Sequence, residues 1–214
     1  MVATQKLGSV TGRATSMHAR MRHLSQAISE GDGISLMAPA PDAESALAAE
    51  RGGAEGVVLD RDLPGIREAT GLPILWRLDT SPADALNRGA DALLIPASAL
   101  EDDADRVERR WREAHEIGLE CVVEVRDADE LELAMEHLDP EIFLLSPQES
   151  GNDDDPLDNV LELLADVPAG KLAIADLEVT TPDEIAELER AGVDAVIVAS
   201  QNLAGLVRAA PPEV

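Results

Sequence analysis

The sequence predicts a single (β/α)8 TIM barrel, in which eight parallel strands alternate with eight helices. Short apolar runs alternate with acidic, helix-forming stretches from Gly33 onward, and eight such pairs can be counted. Glycines follow several of these stretches at the positions where helices end. The length of 214 residues suits one domain of this class. A doubly wound sheet would usually show fewer units.

The alternation of apolar runs and acidic stretches begins at Gly33 and so divides the chain into two parts. Residues 1–32 are predicted to form a short N-terminal helical extension, and residues 33–210 are predicted to form the barrel. Residues 15–30 are predicted to form one helix that ends at Gly31. Two interpretations of this helix stay open: it covers the bottom of the barrel, or it is loosely ordered.

The predicted strands are short aliphatic runs, because aromatic residues make up only 1% of the chain and cannot supply the core. The strands are expected at residues 34–38, 56–59, 73–78, 92–96, 121–125, 142–145, 172–175 and 195–199.

The predicted helices follow the strands in turn. Ser81 and Thr181 each precede a proline, the order typical of an N-cap followed by the first helical residue. The loop at residues 146–158 is rich in aspartate, and we favour a solvated loop there over a mobile lid or cation site. The helices are expected at residues 42–51, 63–69, 82–87, 101–116, 128–137, 156–165, 182–190 and 202–209.

The chain is strongly acidic, with 43 Asp and Glu against 17 Lys and Arg and a formal net charge of −26. Only Lys6 and Lys171 are lysines. Because the acidic residues are spread along the whole chain, we favour adaptation to a salt-rich cytoplasm, where salt screens self-repulsion, over a surface for one basic partner. No basic stripe is present, which argues against nucleic-acid binding.

The remaining composition indicates a soluble cytoplasmic protein. The single Cys121 excludes an intrachain disulfide and a cysteine metal cluster. No apolar run is long enough to span a membrane, and the N-terminus lacks a hydrophobic signal core. We expect no metal and no cofactor, although three carboxylates at the barrel mouth leave Mg²⁺ or Ca²⁺ as an alternative.

From Gly33 to Leu203 the chain resembles indole-3-glycerol phosphate synthase. The resemblance is carried by CVVEVRD at residues 121–127 with ELE at 130–132, by GADALLI at 89–95, and by TPDEI at 181–185 with AGVDAVIV at 191–198. It implies a barrel that carries out a decarboxylative ring closure and dehydration. It also implies lysine acids, glutamates, an asparagine and a phosphate cradle at the strand C-terminal ends.

Most of these family residues are replaced. The fifth-strand glutamate is kept as Glu124. A guanidinium does not release a proton near neutral pH, so Arg77 cannot act as the third-strand lysine acid. Glu178 would repel a phosphate. The other replacements, in chain order, are Leu36 and Ala38 for a glutamate and a lysine, Leu145 for an asparagine, Asp176 and Leu177 for a glutamate and a serine, and Ala199 for a glycine.

The strand C-terminal ends offer a site of carboxylates and arginines. The resemblance implies that Glu124 points inward, and strand alternation then lets Arg77, Asp176 and also Arg126 meet it. Glu124, Asp176 and Arg77 are the predicted catalytic residues. The structural alternative is that Arg77 pairs with Glu124 and Asp176 and plugs an inactive mouth. Four further residues are predicted to bind substrate: Arg126, Ser146, Glu178 and Ser200.

Three functions stay open. The first is a barrel that has lost the family reaction and serves as a binding or assembly protein. The second is an active enzyme that uses Glu124, Asp176 and Arg77 on a small molecule. The third is a residual indole-3-glycerol phosphate synthase of tryptophan biosynthesis. A small-molecule ligand, a protein partner and a homo-oligomer are all compatible with the sequence.

Overall fold

Eight strands close into a barrel in sequence order in the computed structural model, which describes residues 23–30, 33–147 and 155–206. Each strand pairs in parallel with the next, and the eighth pairs with the first. The predicted (β/α)8 barrel is therefore confirmed. The strands are β1 Ser35–Pro39, β2 Gly56–Leu59, β3 Ile74–Trp76, β4 Ala92–Pro96, β5 Glu120–Val125, β6 Ile142–Leu145, β7 Leu172–Asp176 and β8 Ala195–Ile197.

Helices follow the strands as predicted, with small shifts at their ends. Residues 207–209 of the last predicted helix lie outside the described residues. Ser81 and Thr181 cap helices through their side chains, and each is followed by a proline. No helix in the described part of the chain is long and apolar enough to cross a membrane. The helices are α1 Leu24–Ser29, α2 Ala43–Arg51, α3 Ile66–Ala69, α4 Pro82–Asn87, α5 Ser98–Glu116, α6 Ala128–His137, α7 Pro156–Leu164, α8 Pro182–Ala191 and α9 Leu203–Leu206.

Helix α5 begins earlier than expected and contains a kink. Asp103 has φ −160° and ψ 80°, which is outside the helical range, and its carboxylate accepts a hydrogen bond from the Arg106 backbone N–H at 3.0 Å. Asp103 therefore caps the long segment that follows it. Residues 98–102 form a separate first turn, which the sequence pattern did not indicate.

The core consists of two groups of side chains. The inner group fills the barrel and includes Met37, Leu75, Val122 and Ile174. The outer group packs between strands and helices and contains the two largest buried side chains, Trp76 and Phe143. Successive residues of a strand point to opposite faces of the sheet, so they alternate between the two groups. A residue next to an inner-group residue therefore faces the helices, and one two positions away faces the barrel interior.

Helix α1 lies at the N-terminal end of the barrel. Leu24 and Ile28 are buried among the inner group. The carboxylate of Glu120, at the start of β5, accepts hydrogen bonds from the Leu24 and Ser25 backbone N–H groups and from the Ser25 hydroxyl. Helix α1 therefore supports the first of the two interpretations, that the N-terminal helix covers the bottom of the barrel. Residues 15–22, 31 and 32 of that prediction lie outside the described residues.

Candidate active site at the barrel mouth

The strand C-terminal ends carry a ring of side chains above the inner core group. Leu75, Val122 and Ile174 belong to that group, so the residues two positions later, Arg77, Glu124 and Asp176, face the same interior. The three predicted catalytic residues are therefore brought together at the mouth, where active sites of this fold are found. Their catalytic role remains a prediction.

Arg77 reaches across the mouth to Asp176. One guanidinium nitrogen of Arg77 donates a hydrogen bond to the Asp176 carboxylate, and another lies 3.9 Å from a carboxylate oxygen of Asp60. Arg77 follows β3 and Asp176 ends β7, four strands away in a ring of eight, so the pair spans opposite sides of the barrel. We call this ion pair the mouth bridge. The alternative of an arginine pairing across the mouth thus holds for Asp176, whereas no ion pair joins Arg77 to Glu124 among the described residues.

Two cavities flank the mouth bridge. The first has a volume of about 550 Å³ and lies beside β3, β4 and β5, with Arg77 and Glu124 on its inner wall. The second has a volume of about 410 Å³, and Pro39, Asp60 and Ser200 contribute to its lining. The mouth is therefore open on both sides of the bridge, and the first cavity is large enough for a small organic molecule.

Glu124 lies half-buried next to the bridge. Burial is the largest influence on its carboxyl group and raises its pKa above the ordinary value of 4.5. The nearby Arg77 guanidinium opposes this rise, while the Asp176 carboxylate adds to it. The free energy of unfolding therefore falls as pH rises through the range in which this carboxyl group ionises.

We expect Glu124→Gln to stabilise the protein near neutral pH. A carboxyl whose folded-state pKa is raised loses stability as pH rises from its unfolded value, because ionisation then favours the unfolded chain. The melting temperature of the variant should exceed that of the wild type at pH 7, and the difference should shrink as pH falls towards 4.5. Thermal denaturation across this range checks the prediction. A variant less stable than the wild type at pH 7 would show instead that the ionised carboxylate contributes net favourable contacts.

The four predicted substrate-binding residues lie in different surroundings. The Arg126 guanidinium binds the buried carboxylate of Glu130, the first-turn glutamate of α6. Ser146 follows β6 at the mouth, and Glu178 is exposed. The Ser200 hydroxyl donates to the Pro39 carbonyl at 2.9 Å beside the second cavity. Of these four, Ser200 alone lines one of the two cavities described here, and substrate binding by the four stays a prediction.

Three of the positions that the resemblance assigned to family residues face away from the barrel interior. Leu36, Ala38 and Leu145 belong to the outer core group and face the helices. The inward positions are instead Met37 on β1 and, after β6, Ser146, because Leu144 belongs to the inner group. The neighbouring inward-facing positions Met37 and Ser146 hold none of the three residue types that the resemblance implies, a glutamate, a lysine and an asparagine.

Lysine is absent from the described part of the mouth. Lys171 precedes β7 at the opposite end of the barrel, where its ammonium group lies 2.6 Å from an Asp139 carboxylate oxygen. Within the described residues no group of three or more His, Cys, Asp or Glu side chains has the arrangement to hold a metal ion. The chemistry that this mouth offers is therefore that of carboxylates, arginines and hydroxyls.

Sequence reasoning missed the arginines on α5. Arg106 and Arg110 lie one helical turn apart and line the first cavity, together with Arg109. The available signal was the recurrence of arginine at positions 106, 109 and 110 soon after the fourth strand. Asp103 separates this segment from the first turn of α5, and the sequence pattern did not indicate this break.

Comparison with known proteins identifies related sequences. The sequence model of the indole-3-glycerol phosphate synthase family matches residues 62–206. An indole-3-glycerol phosphate synthase of Shouchella clausii is 31% identical over 113 residues, covering 53% of this chain and 44% of that protein. The enzyme of the same name from Aromatoleum aromaticum is 31% identical over 174 residues, covering 73% and 64%. The chain spans about half the length of the curated relatives it matches.

A solved structure agrees with the barrel. The N-acetylmannosamine-6-phosphate 2-epimerase from Clostridium perfringens aligns with a TM-score of 0.65 at 16% sequence identity. The alignment covers 87% of this chain and 93% of that one. At this low identity the likeness shows the fold alone.

Proposed function

This chain belongs to the indole-3-glycerol phosphate synthase family, and we propose that it has lost the family's ring-closing reaction and binds a small molecule at its mouth. The observation that carries the proposal is the mouth bridge between Arg77 and Asp176. A ligand extending from the β3 side to the β7 and β8 side, where the family places its phosphate cradle, would have to break this pair.

The residues around the bridge support the same proposal. The resemblance implies that lysine side chains act as general acids in the family reaction. The third-strand position here holds Arg77, and a guanidinium cannot take that role near neutral pH. The inward position of β1 is Met37, which carries no ionisable group. Glu178 places a carboxylate where the family binds phosphate, and it repels that dianion. Binding, in contrast, needs only the cavity that remains beside the bridge.

A tryptophan auxotroph that lacks only indole-3-glycerol phosphate synthase tests the loss of activity. We expect no growth without tryptophan when this chain is expressed, provided that folded protein is found in the cell extract. The Aromatoleum aromaticum relative is the positive control. Growth with this chain would overturn the proposal and favour a residual indole-3-glycerol phosphate synthase.

A second candidate is an enzyme that uses Glu124 as a general acid and base. The observation in its favour is the pKa of Glu124, which burial raises towards the working range of such groups. Arg77 and Asp176 would then hold a substrate next to that carboxyl group. A carbon-13 NMR titration that places the pKa of Glu124 at or below 4.5 would remove this candidate.

We also propose that the protein works in concentrated salt, in the cytoplasm. The net charge of −26 on a 22.7 kDa chain supports this, because salt is required to screen repulsion of that size. An assembly role, with a protein partner or a second copy of the chain, is compatible with the same acidic surface and stays a proposal.

A further inference from the structure

The first cavity concentrates positive charge in a strongly negative protein. Four arginines line it, against three carboxylates from Asp79, Glu113 and Glu124. The four are Arg77 on the inner wall and Arg106, Arg109 and Arg110 on α5. Arg77 is already paired with Asp176, so the guanidinium groups that an entering anion could meet are those on α5.

Arg110 has hydrogen-bonding capacity that the described residues do not use. One of its terminal nitrogens lies 2.6 Å from an Asp79 carboxylate oxygen. Its Nε and its other terminal nitrogen, Nη2, are buried and have no hydrogen-bond acceptor in the described part of the chain. A buried N–H without an acceptor costs free energy, so an acceptor that enters beside Arg110 recovers that cost.

Two further arginines on α5 and an apolar wall line the same cavity. No ion pair engages the Arg106 or Arg109 side chain within the described residues. The remaining wall of the cavity is largely apolar and includes Pro82, Leu94 and Pro96. The cavity thus combines a charged end on α5 with an apolar body, which is the usual composition of a site for a small amphiphilic ligand.

We propose that the first cavity binds a small organic oxyanion, with the anionic group on Arg110 and Arg106 and an apolar body against Leu94 and Pro96. A carboxylate matches the Nε and Nη2 edge of a guanidinium through two parallel hydrogen bonds, and a phosphate monoester offers the same oxygens. The partner of Arg110, Asp79, is 83% exposed, so the proposal requires the Arg110 guanidinium to rotate away from this exposed carboxylate to present that edge to the anion. This site lies on the β3–β5 side of the mouth bridge, and it deepens the proposed function, on which it rests.

Binding of matched probes tests this proposal. The probes are cyclohexanecarboxylate, cyclohexyl phosphate and the neutral cyclohexanecarboxamide, each titrated into the full chain in about 1 M KCl, where distant charges are screened. NMR of the arginine Nε–H groups reports both affinity and location. We expect the carboxylate or the phosphate to bind at least about tenfold more tightly than the amide and to shift the Arg110 signal.

The variants Arg110→Gln and Arg112→Gln form a matched pair. Both remove one positive charge from α5, but Arg112 is exposed and does not line the cavity. We expect Arg110→Gln to weaken the anionic probes about tenfold and leave the amide unchanged, and Arg112→Gln to change neither.

Two results would overturn the oxyanion site: equal binding of charged and neutral probes, or no effect specific to Arg110→Gln. Absence of binding by all three probes would overturn it as well. None of these results restores ring closure, so the loss of the family reaction is judged separately by formation of indole-3-glycerol phosphate.

Discussion

Replacing Arg67 by methionine is expected to lower the free energy of unfolding by about 3 kcal/mol. Arg67 lies on α3, and its guanidinium binds the Asp91 carboxylate at 2.7 Å and the Thr70 and Leu72 carbonyls at 2.6 and 2.7 Å. The Asp91 side chain is only 6% exposed, and it also accepts a hydrogen bond from the Ile74 N–H. The substitution removes the guanidinium and leaves the Asp91 carboxylate buried without its cation. Such an uncompensated buried charge strongly destabilises the folded state.

The matched control for this prediction is Arg88→Met. Arg88 pairs with Asp62, and both side chains are 43% exposed. The variant changes the net charge by the same amount, but an exposed pair contributes at most about 1 kcal/mol. Urea denaturation of the two variants in the same concentrated salt measures both effects. If both variants lost the same free energy of unfolding, the Arg67–Asp91 network would not hold the N-terminal ends of β3 and β4 together.

Transfer from about 2 M to about 0.2 M KCl is expected to lower the melting temperature by on the order of 10 °C. At the lower concentration charges are screened only beyond about 7 Å, so neighbouring acidic side chains repel one another more strongly in the folded state. At the higher concentration this repulsion is screened over a few Å. Thermal denaturation at a series of KCl concentrations measures the effect.

The triple variant Glu116→Gln, Glu132→Gln and Glu187→Gln separates charge repulsion from general salt effects. The three side chains are exposed and lie on three different helices. Removing three negative charges should raise the melting temperature in low salt and have a much smaller effect in high salt. A benefit of equal size at both concentrations would contradict repulsion as the cause.

The strands could be predicted because each is a short aliphatic run bounded by turn residues. Gly56–Leu59, Ala92–Pro96 and Ile142–Leu145 were predicted with the bounds that the structure gives. Pro73–Leu78 was predicted too long, since only Ile74–Trp76 pairs as a strand. Apolar pattern determines which segment is buried, whereas the ends of strands depend on hydrogen bonds with neighbours that a single sequence does not reveal.

Only the part of the site that follows from strand alternation could be predicted from the sequence. Alternation placed Arg77, Glu124 and Asp176 at the mouth, because each lies two residues beyond a core position of its own strand. It could not tell which carboxylate Arg77 would bind, since that depends on the distance across a closed barrel. It also gave no information on Arg110, which lies on helix α5 and lines the first cavity.

The mouth bridge gives these observations a common physical basis. An ion pair between opposite strands divides the mouth and leaves a cavity on each side. The half-buried carboxyl of Glu124 lies next to the positive end of this bridge. The chain thus keeps the fold of an enzyme family, and our proposal is that this divided mouth no longer carries out the family reaction. Function in such a barrel has to be argued from the side chains at the mouth rather than from the fold.

The most direct test of this account is a ring-closure assay with the purified, folded protein in concentrated KCl. The protein is mixed at high concentration with the family's ring-closing substrate, and formation of indole-3-glycerol phosphate is followed by indole fluorescence. We predict a rate equal to that of buffer alone, while a salt-tolerant family enzyme added to the same solution produces the indole. Product formation by this chain that is lost in Glu124→Gln would contradict the account and show that the divided mouth still closes the ring.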